Sequence, residues 1–389
     1  MHSSSSDLRL ALAGLTALTL AMGVGRFAFT PLLPMMESDG LLSVSQGGLL
    51  ASVHFAGYWV GALLAARLSF SPAVILQLSL VAIALTTLGM GLSDDMTIWL
   101  ALRFFAGVFS AFTLVLVSNH IVKRLQVGGR SDLQGWVFSG VGAGIAAVGL
   151  GVLALMADDA DSMAAWQITG AVSLALAVLL CLQFQGKFTS GDATSGPGGT
   201  PERVPLAWRP ILAYGALGVG YIIPATYLPV MARDVIDAPL IFGWSWPVFG
   251  LAAFISTPLA IRAERLFSNR QIWAVSQYAM AAGLLFPAFV SHISAIIIAG
   301  VCVGGTFMVI TMAGMKEAHR IAAGADVQRH IAVMTAAFAT GQMIAPAIAG
   351  WAYAAAQSFA APLMLASAAL ALTAILLTRQ PREMKVLGS

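Results

Sequence analysis

The stretch Gly23-Val24-Gly25-Arg26-Phe27-Ala28-Phe29-Thr30-Pro31-Leu32-Leu33-Pro34 places a permanently charged guanidinium inside an apolar run, with two glycines before it and two prolines after. The frame recurs. Gly218-Val219-Gly220-Tyr221-Ile222-Ile223-Pro224-Ala225-Thr226-Tyr227-Leu228-Pro229 repeats it 195 residues later, with both glycines and the final Leu-Pro in register and tyrosine in place of arginine. One copy is charged and the other is not.

The surrounding composition is that of a polytopic membrane protein: 59% of the 389 residues are hydrophobic and only 10% charged, against about 45–50% and 25% in ordinary soluble domains. Runs long enough to cross a hydrocarbon core, which takes roughly 17–25 helical residues, lie at 9–36, 45–67, 73–92, 96–119, 134–157, 164–184, 209–232, 241–262, 271–290, 293–314, 329–353 and 359–378. They are too long and too rich in glycine and alanine for membrane β-strands of about 10 residues, and helices satisfy their own backbone in lipid. The first run is also too long for the 7–15-residue apolar core of a secretion signal, so it is expected to remain as a span.

The charges fix a topology. Seventeen of the twenty Lys and Arg fall on one side of the twelve runs and Arg233 alone on the other, with Arg26 and Arg103 inside spans. Cationic loops stay cytoplasmic, so both termini are expected inside, with Glu37, Asp39, Asp94, Asp95, Asp158, Asp159 and Asp161 outside. That distribution, rather than a nucleic-acid surface, accounts for the net charge of +3. Cys181 and Cys302 both fall in apolar runs and read as core residues with no pairing implied.

Between the sixth and seventh runs, Thr189 to Thr200 is Gly/Ser/Thr-rich linker chemistry. It divides the chain into a six-helix bundle at 1–184, a cytoplasmic linker at 185–208 and a second six-helix bundle at 209–389. Further matches support the division. Leu64-Ala65-Ala66-Arg67 aligns with Leu259-Ala260-Ile261-Arg262, Ala106-Gly107-Val108 with Ala299-Gly300-Val301, and Gly142, Ile145 and Gly151 with Gly341, Ile344 and Gly350. Six spans per repeat preserve orientation, so the halves are expected to be related by a pseudo-twofold axis along the membrane normal, the plan of an alternating-access carrier. The fold class is therefore an all-α membrane protein, twelve transmembrane helices in two six-helix bundles.

Along its whole length the chain resembles the major facilitator superfamily, and within it the YbfB/YjiJ-type group. The residues that carry the resemblance are the Gly23–Pro34 stretch, Ala56-Gly57-Tyr58 followed by Gly61-Ala62-Leu63, Gly220 to Met231, Ser139 to Ile145, and Gly304-Gly305-Thr306-Phe307-Met308. It implies a central cavity lined by the first, second, fourth, fifth, seventh, eighth, tenth and eleventh spans. It also exposes two departures. The Gly-x-x-x-Asp-Arg-type signature after the second span is represented by Gly61, Ala65 and Arg67, without its aspartate. The glycine-rich exporter pattern in the fifth span has Gly140, Gly144 and Gly149 but Ile145 for its proline, whereas Gly341, Pro346 and Gly350 in the eleventh fit it better and favour export.

Arg26 lies about 15 Å below the outer surface at 1.5 Å per residue. A charge at that depth costs about 2.5–3.5 kcal/mol on insertion scales and usually faces the bundle interior. It can pair bidentately with a substrate carboxylate or phosphate, or hold backbone carbonyls as a structural or gating contact. His54, at similar depth, can exchange a proton or bond a neighbouring helix. Tyr58, Tyr221 and Tyr227 offer hydroxyls and aromatic faces to an organic ligand, or simply pack. Arg103, four residues before Gly107, resembles the superfamily's fourth-span arginine linked to proton coupling; snorkelling to the interface is the alternative. Gly23, Gly25, Pro31 and Pro34, like Gly220, Pro224, Pro229, Gly140, Gly144 and Pro346, serve helix bending or close packing.

All seventeen Asp and Glu are assigned to loops or tails. A carrier expelling cationic drugs usually needs a buried carboxylate, so anionic or neutral polar solutes gain ground over lipophilic cations. No nucleotide loop, metal-ligand spacing or nucleophile motif is present, and neither enzyme activity, cofactor nor metal is expected. The expected function is secondary transport of a small organic solute, with export favoured, protons as a coupling ion, a monomeric state and an inner-membrane location. The alternatives are a non-transporting receptor or scaffold with the carrier fold and a multidrug efflux carrier.

Overall fold

A computed structural model describes residues 3–65, 71–183, 205–322 and 325–378. Among these residues there is no strand. Twelve helices are long and apolar enough to cross a membrane: Ser6–Ser38, Val44–Ala65, Pro72–Met90, Met96–Val127, Ser131–Ala157, Ser162–Gln183, Trp208–Val235, Pro239–Ala263, Asn269–Phe289, Ile293–Ile321, Arg329–Ala356 and Ala360–Thr378. They are the first to twelfth spans below, and each coincides with one of the twelve runs read from the sequence. Arg67, and the linker apart from 205–208, lie outside the described residues; Trp208 already begins the seventh helix.

Several helices continue past their apolar stretch, which corrects the placement of the acids. The tenth runs to Ile321 and carries Glu317 within it, fully buried, where it pairs with Arg270 at 2.6 Å and Arg320 at 2.8 Å. An isolated carboxylate could not be buried there; two guanidiniums make it tolerable.

The first span is not one regular helix. It widens into a π-helical turn at Thr19–Arg26, breaks at Phe27 and Ala28, and resumes at Phe29–Ser38. The cause lies in the sequence. Pro31 has no N–H for the Phe27 carbonyl, which takes the Thr30 N–H at 3.2 Å instead, while the Phe27 N–H reaches back five residues to Met22. The seventh span contains Pro224 and Pro229 yet remains one helix from Trp208 to Val235. The repeated frame therefore produces a break in one half only.

Within each half, small residues allow close crossings. A Cβ on Gly57 would strike the Phe104 backbone and one on Gly107 that of His54, so the second and fourth spans meet backbone to backbone. Gly140 and Gly144 bring the fifth span onto Leu15, Thr19 and Gly23 of the first. Between the halves the first span packs on the seventh, the second on the eleventh and the fifth on the eighth. The last two pairings exchange under the repeat, as a pseudo-twofold axis requires. Large apolar side chains such as Phe289, Trp351 and Leu365 are exposed around the outside, a surface that hydrocarbon solvates and water does not.

The contacts between the first and seventh spans follow the repeat offset. Arg26 meets Tyr221, Thr30 Oγ1 donates to the Ala225 carbonyl at 2.6 Å, and Arg233 lies beside Ser38, each pair 195 residues apart. Equivalent positions of the two halves thus face each other, and the pseudo-twofold axis passes between these spans.

On the face that carries most of the acidic loops, the halves are tied. Arg233 Nη2 donates to Glu37 at 2.7 Å and Nη1 to the Pro34 carbonyl at 3.1 Å; within the second half, Tyr353 donates to Asp234, the neighbour of Arg233, at 2.9 Å. A partly buried pair of this kind is worth about 1 kcal/mol, or roughly a fivefold population shift between conformations. Glu37→Gln should therefore raise alkylation of a Thr30→Cys probe about fivefold in a Cys181→Ser, Cys302→Ser background. Unchanged labelling would mean that the ion pair does not hold this face shut.

Candidate functional site

The break in the first span leaves the Gly25 and Arg26 carbonyls without their helical donors, and another helix supplies them. Arg103 of the fourth span donates from Nη1 to Gly25 at 3.1 Å and from Nη2 to Arg26 at 3.2 Å, with its guanidinium carbon 5.0 Å over the Phe29 ring. Ser110, two turns further on, donates to the Ala21 carbonyl at 2.9 Å. Arg103 is 3% exposed: it turns inward to the broken backbone rather than snorkelling to the interface. It also holds its neighbour, since His54 Nδ1 lies 3.2 Å from the Arg103 carbonyl. A carbonyl only accepts, so Nδ1 carries the hydrogen, and in the neutral ring Nε2 presents a lone pair. That Nε2 is buried without a partner.

Stapling the break aims Arg26 across the axis. Its side chain is buried, with the guanidinium carbon 5.1 Å from the Phe27 ring centroid, 4.8 Å from Phe55, 5.1 Å from Tyr58 and 5.9 Å from Tyr221. Such aromatic faces offset part of the desolvation of a cation. Arg26 Nη2 donates to the Tyr221 hydroxyl, and Arg26 Nε has no partner. Among the described residues neither Arg26 nor Arg103 has a carboxylate within the 4.0 Å of an ion pair. Two positive charges are held in the core of the bundle with no carboxylate of the described residues in ion-pair range.

Tyr221 is fixed from all sides. Its ring stacks between Phe307 at 5.3 Å and Phe338 at 5.7 Å, with interplanar angles of 6° and 4°. Its hydroxyl also accepts from Gln342 Nε2 of the eleventh span. Gln342 is fully buried and its Oε1 has no partner.

The structure thus brings Arg26, His54, Tyr58, Arg103 and Tyr221 together. Tyr227 lies apart: its hydroxyl donates to the Pro346 carbonyl at 2.7 Å and its ring meets Phe359 at 4.8 Å, so it ties the seventh span to the eleventh, with its hydroxyl in the space that a Cβ on Gly48 or Gly350 would take. Gly23 and Gly25 serve close packing, the first against Gly144 and the second against Ile83 and Ser110. Gly220 admits the Leu370 side chain. Sequence reasoning missed Gln342, Phe55, Phe307 and Phe338. A buried amide beside Gly341 in the glycine-proline frame of the eleventh span was the available signal for the first; the phenylalanines are indistinguishable from core until the fold places them. The repeat leaves the chemistry one-sided, because the positions matching His54, Tyr58 and Arg103 are Phe249, Ala253 and Ile296.

Two six-span bundles meeting on a pseudo-twofold axis, with a polar cluster at the crossing of their first helices, define the class of membrane carriers. The profile of a family described as "Uncharacterised MFS-type transporter YbfB" matches residues 18–378, and the chain belongs to that family of the major facilitator superfamily. It is 34% identical over 137 residues to an uncharacterised MFS-type transporter of Yersinia enterocolitica, and 31% identical over 137 residues to one of Yersinia pestis, each match covering 34% of both chains. The chain thus matches about a third of the length of these curated relatives. In fold it is similar to a mutant of the nucleoside transporter NupG, with TM-score 0.72 at 14% identity over 95% of this chain and 98% of that one. It is also similar to a bacterial homologue of the human lysosomal transporter Spinster, solved inward-facing and unoccupied, with TM-score 0.68 at 15% identity over 96% of each.

Proposed function

We propose that this multi-pass membrane protein is a secondary carrier of the bacterial inner membrane that moves a small organic anion by alternating access between its halves, 1–184 and 209–389. The observation that carries the reading is the pair of buried guanidiniums, Arg26 and Arg103, without a carboxylate partner among the described residues. Arg103 is committed to backbone carbonyls, which leaves Arg26 to take the ligand. A charge without a counter-ion is costly in the membrane interior, and an anionic solute bound beside it removes that cost. Aromatic faces around Arg26 suit a solute with a flat apolar body. His54, with its open Nε2, is the group to carry a coupling proton, and Gly341, Pro346 and Gly350 support outward movement.

A thermal-shift screen of the purified protein against carboxylates, neutral solutes and lipophilic cations tests the reading, followed by counterflow of the stabilising solute in proteoliposomes with and without an imposed pH gradient. Carboxylates should stabilise and exchange. Stabilisation by lipophilic cations alone would replace this reading with multidrug efflux, and binding without flux with a receptor.

A further inference from the structure

The Tyr221 hydroxyl sits where two donors from opposite halves converge, Arg26 Nη2 from the first span and Gln342 Nε2 from the eleventh. Convergent donors on one oxygen are the pattern of an oxyanion seat, yet the oxygen that fills it belongs to a neutral phenol. The seat is also half used. In a guanidinium the Nε–H and one Nη2–H point the same way, forming a side-on edge that a carboxylate grips with both oxygens. Here Nη2 is taken by Tyr221 while Nε, although buried, has no partner at all.

We propose that the Tyr221 hydroxyl is a stand-in for one carboxylate oxygen of the substrate, and that Gln342 is a second ligand to that same oxygen. The inference rests on the anionic reading above and deepens it. An incoming carboxylate places one oxygen where the Tyr221 hydroxyl lies, accepting from Arg26 Nη2 and Gln342 Nε2, and its other oxygen on Arg26 Nε. Both orphaned and borrowed donors are then satisfied, and the positive charge acquires its counter-ion. Tyr221 loses its hydrogen bond to the first span as a consequence. Since that bond ties the two halves at the axis, ligand entry and release of the tie become one event. Gln342 acts as the reader of specificity, because it reaches the anion from the half that contains no buried arginine in this cluster. The phenol cannot leave by rotation alone, being stacked between Phe307 and Phe338, so its displacement moves the seventh span or the rings with it.

The test uses full-length protein in detergent, with benzoate and inorganic phosphate as probes and binding read from thermal shift and calorimetry. Tyr221→Phe keeps the stacked ring and deletes the competitor. Since a net hydrogen bond is worth about 0.5–1.5 kcal/mol, benzoate should bind this variant about 2- to 10-fold more tightly than the parent. Gln342→Leu removes a donor to a charged oxygen and should bind it at least about 10-fold more weakly. Size-exclusion profiles confirm that each variant is folded. Weaker or unchanged binding by folded Tyr221→Phe, while Arg26→Gln abolishes binding, would make Tyr221 a true ligand or a bystander and overturn this inference alone, leaving the anion carrier standing. Unchanged binding by Gln342→Leu would remove Gln342 from the seat. Protection of the parent by phosphate and not by benzoate would reject the carboxylate. Protection by neither, or equal benzoate binding by Arg26→Gln, would remove the underlying functional reading together with this one.

Discussion

Arg26→Gln is expected to lower counterflow of the stabilising carboxylate by at least about 100-fold while the protein inserts and purifies at least as well as the parent. The magnitude follows from the two edge donors of the guanidinium, each worth about 1.5–3 kcal/mol to a charged partner, and every 1.4 kcal/mol is a factor of ten. Insertion should not suffer, because the substitution removes a charge that the membrane resists and that no carboxylate among the described residues neutralises within ion-pair range. Arg26→Lys separates charge from geometry. A lysine keeps the charge but offers a point donor on a flexible stem, so it should restore only a minor part of the flux. Counterflow in proteoliposomes of matched protein content reads both variants. Parent-like flux in Arg26→Gln would assign the arginine to architecture.

Gly23→Val should give the opposite phenotype, a carrier that fails before transport is measured. A Cβ at Gly23 would lie 2.5 Å from the Gly144 carbonyl carbon and 3.0 Å from its oxygen, and those atoms are backbone, with no side chain to swing aside. Overpacking of this kind typically costs about 1–3 kcal/mol where side chains can yield, and the cost is greater where two helix backbones must separate. The first span would move away from the fifth, taking with it the π-helical turn that aims Arg26. Yield of monodisperse protein and melting temperature in detergent measure the effect. A loss of more than about 10 °C is expected, whereas Gly151→Val, at a position open to within 4 Å, should change little.

The architecture was legible because lipid makes few demands and states them plainly. Backbone polarity must be satisfied within a segment, so twelve apolar runs become twelve helices, and a linker with a repeat at constant offset divides them. Arg26 was legible for the same reason, as a charge where charge is expensive. What the sequence left open was which of several consequences each polar residue serves. Arg103 was read either as a coupling residue or as a snorkelling one; its side chain turns inward, its donors drawn to the Gly25 and Arg26 carbonyls beside the break in another helix, a relation no spacing rule encodes. Glu317 was placed in a loop because the apolar run ends at Gly314, while the helix carrying it continues to Ile321 on the strength of two arginines distant in sequence or one turn ahead. Gln342 escaped notice because one buried amide among glycines and alanines looks like packing until Tyr221 is seen beside it.

The pairing of residues 195 positions apart has a consequence for how such a carrier could arise. Where two copies of a six-helix unit meet on a true twofold axis, a residue on that axis faces its own twin. In an ancestral homodimer an arginine at the Arg26 position would have met a second arginine, and two like charges about 4 Å apart repel by about 1 kcal/mol in water and about 4 kcal/mol near a protein surface. Fusing the copies into one chain frees each to mutate alone. Tyrosine at 221 turns the repulsion into an acceptor for its former twin. On this view the single guanidinium at the axis could exist only after duplication and fusion, when one copy could change without the other.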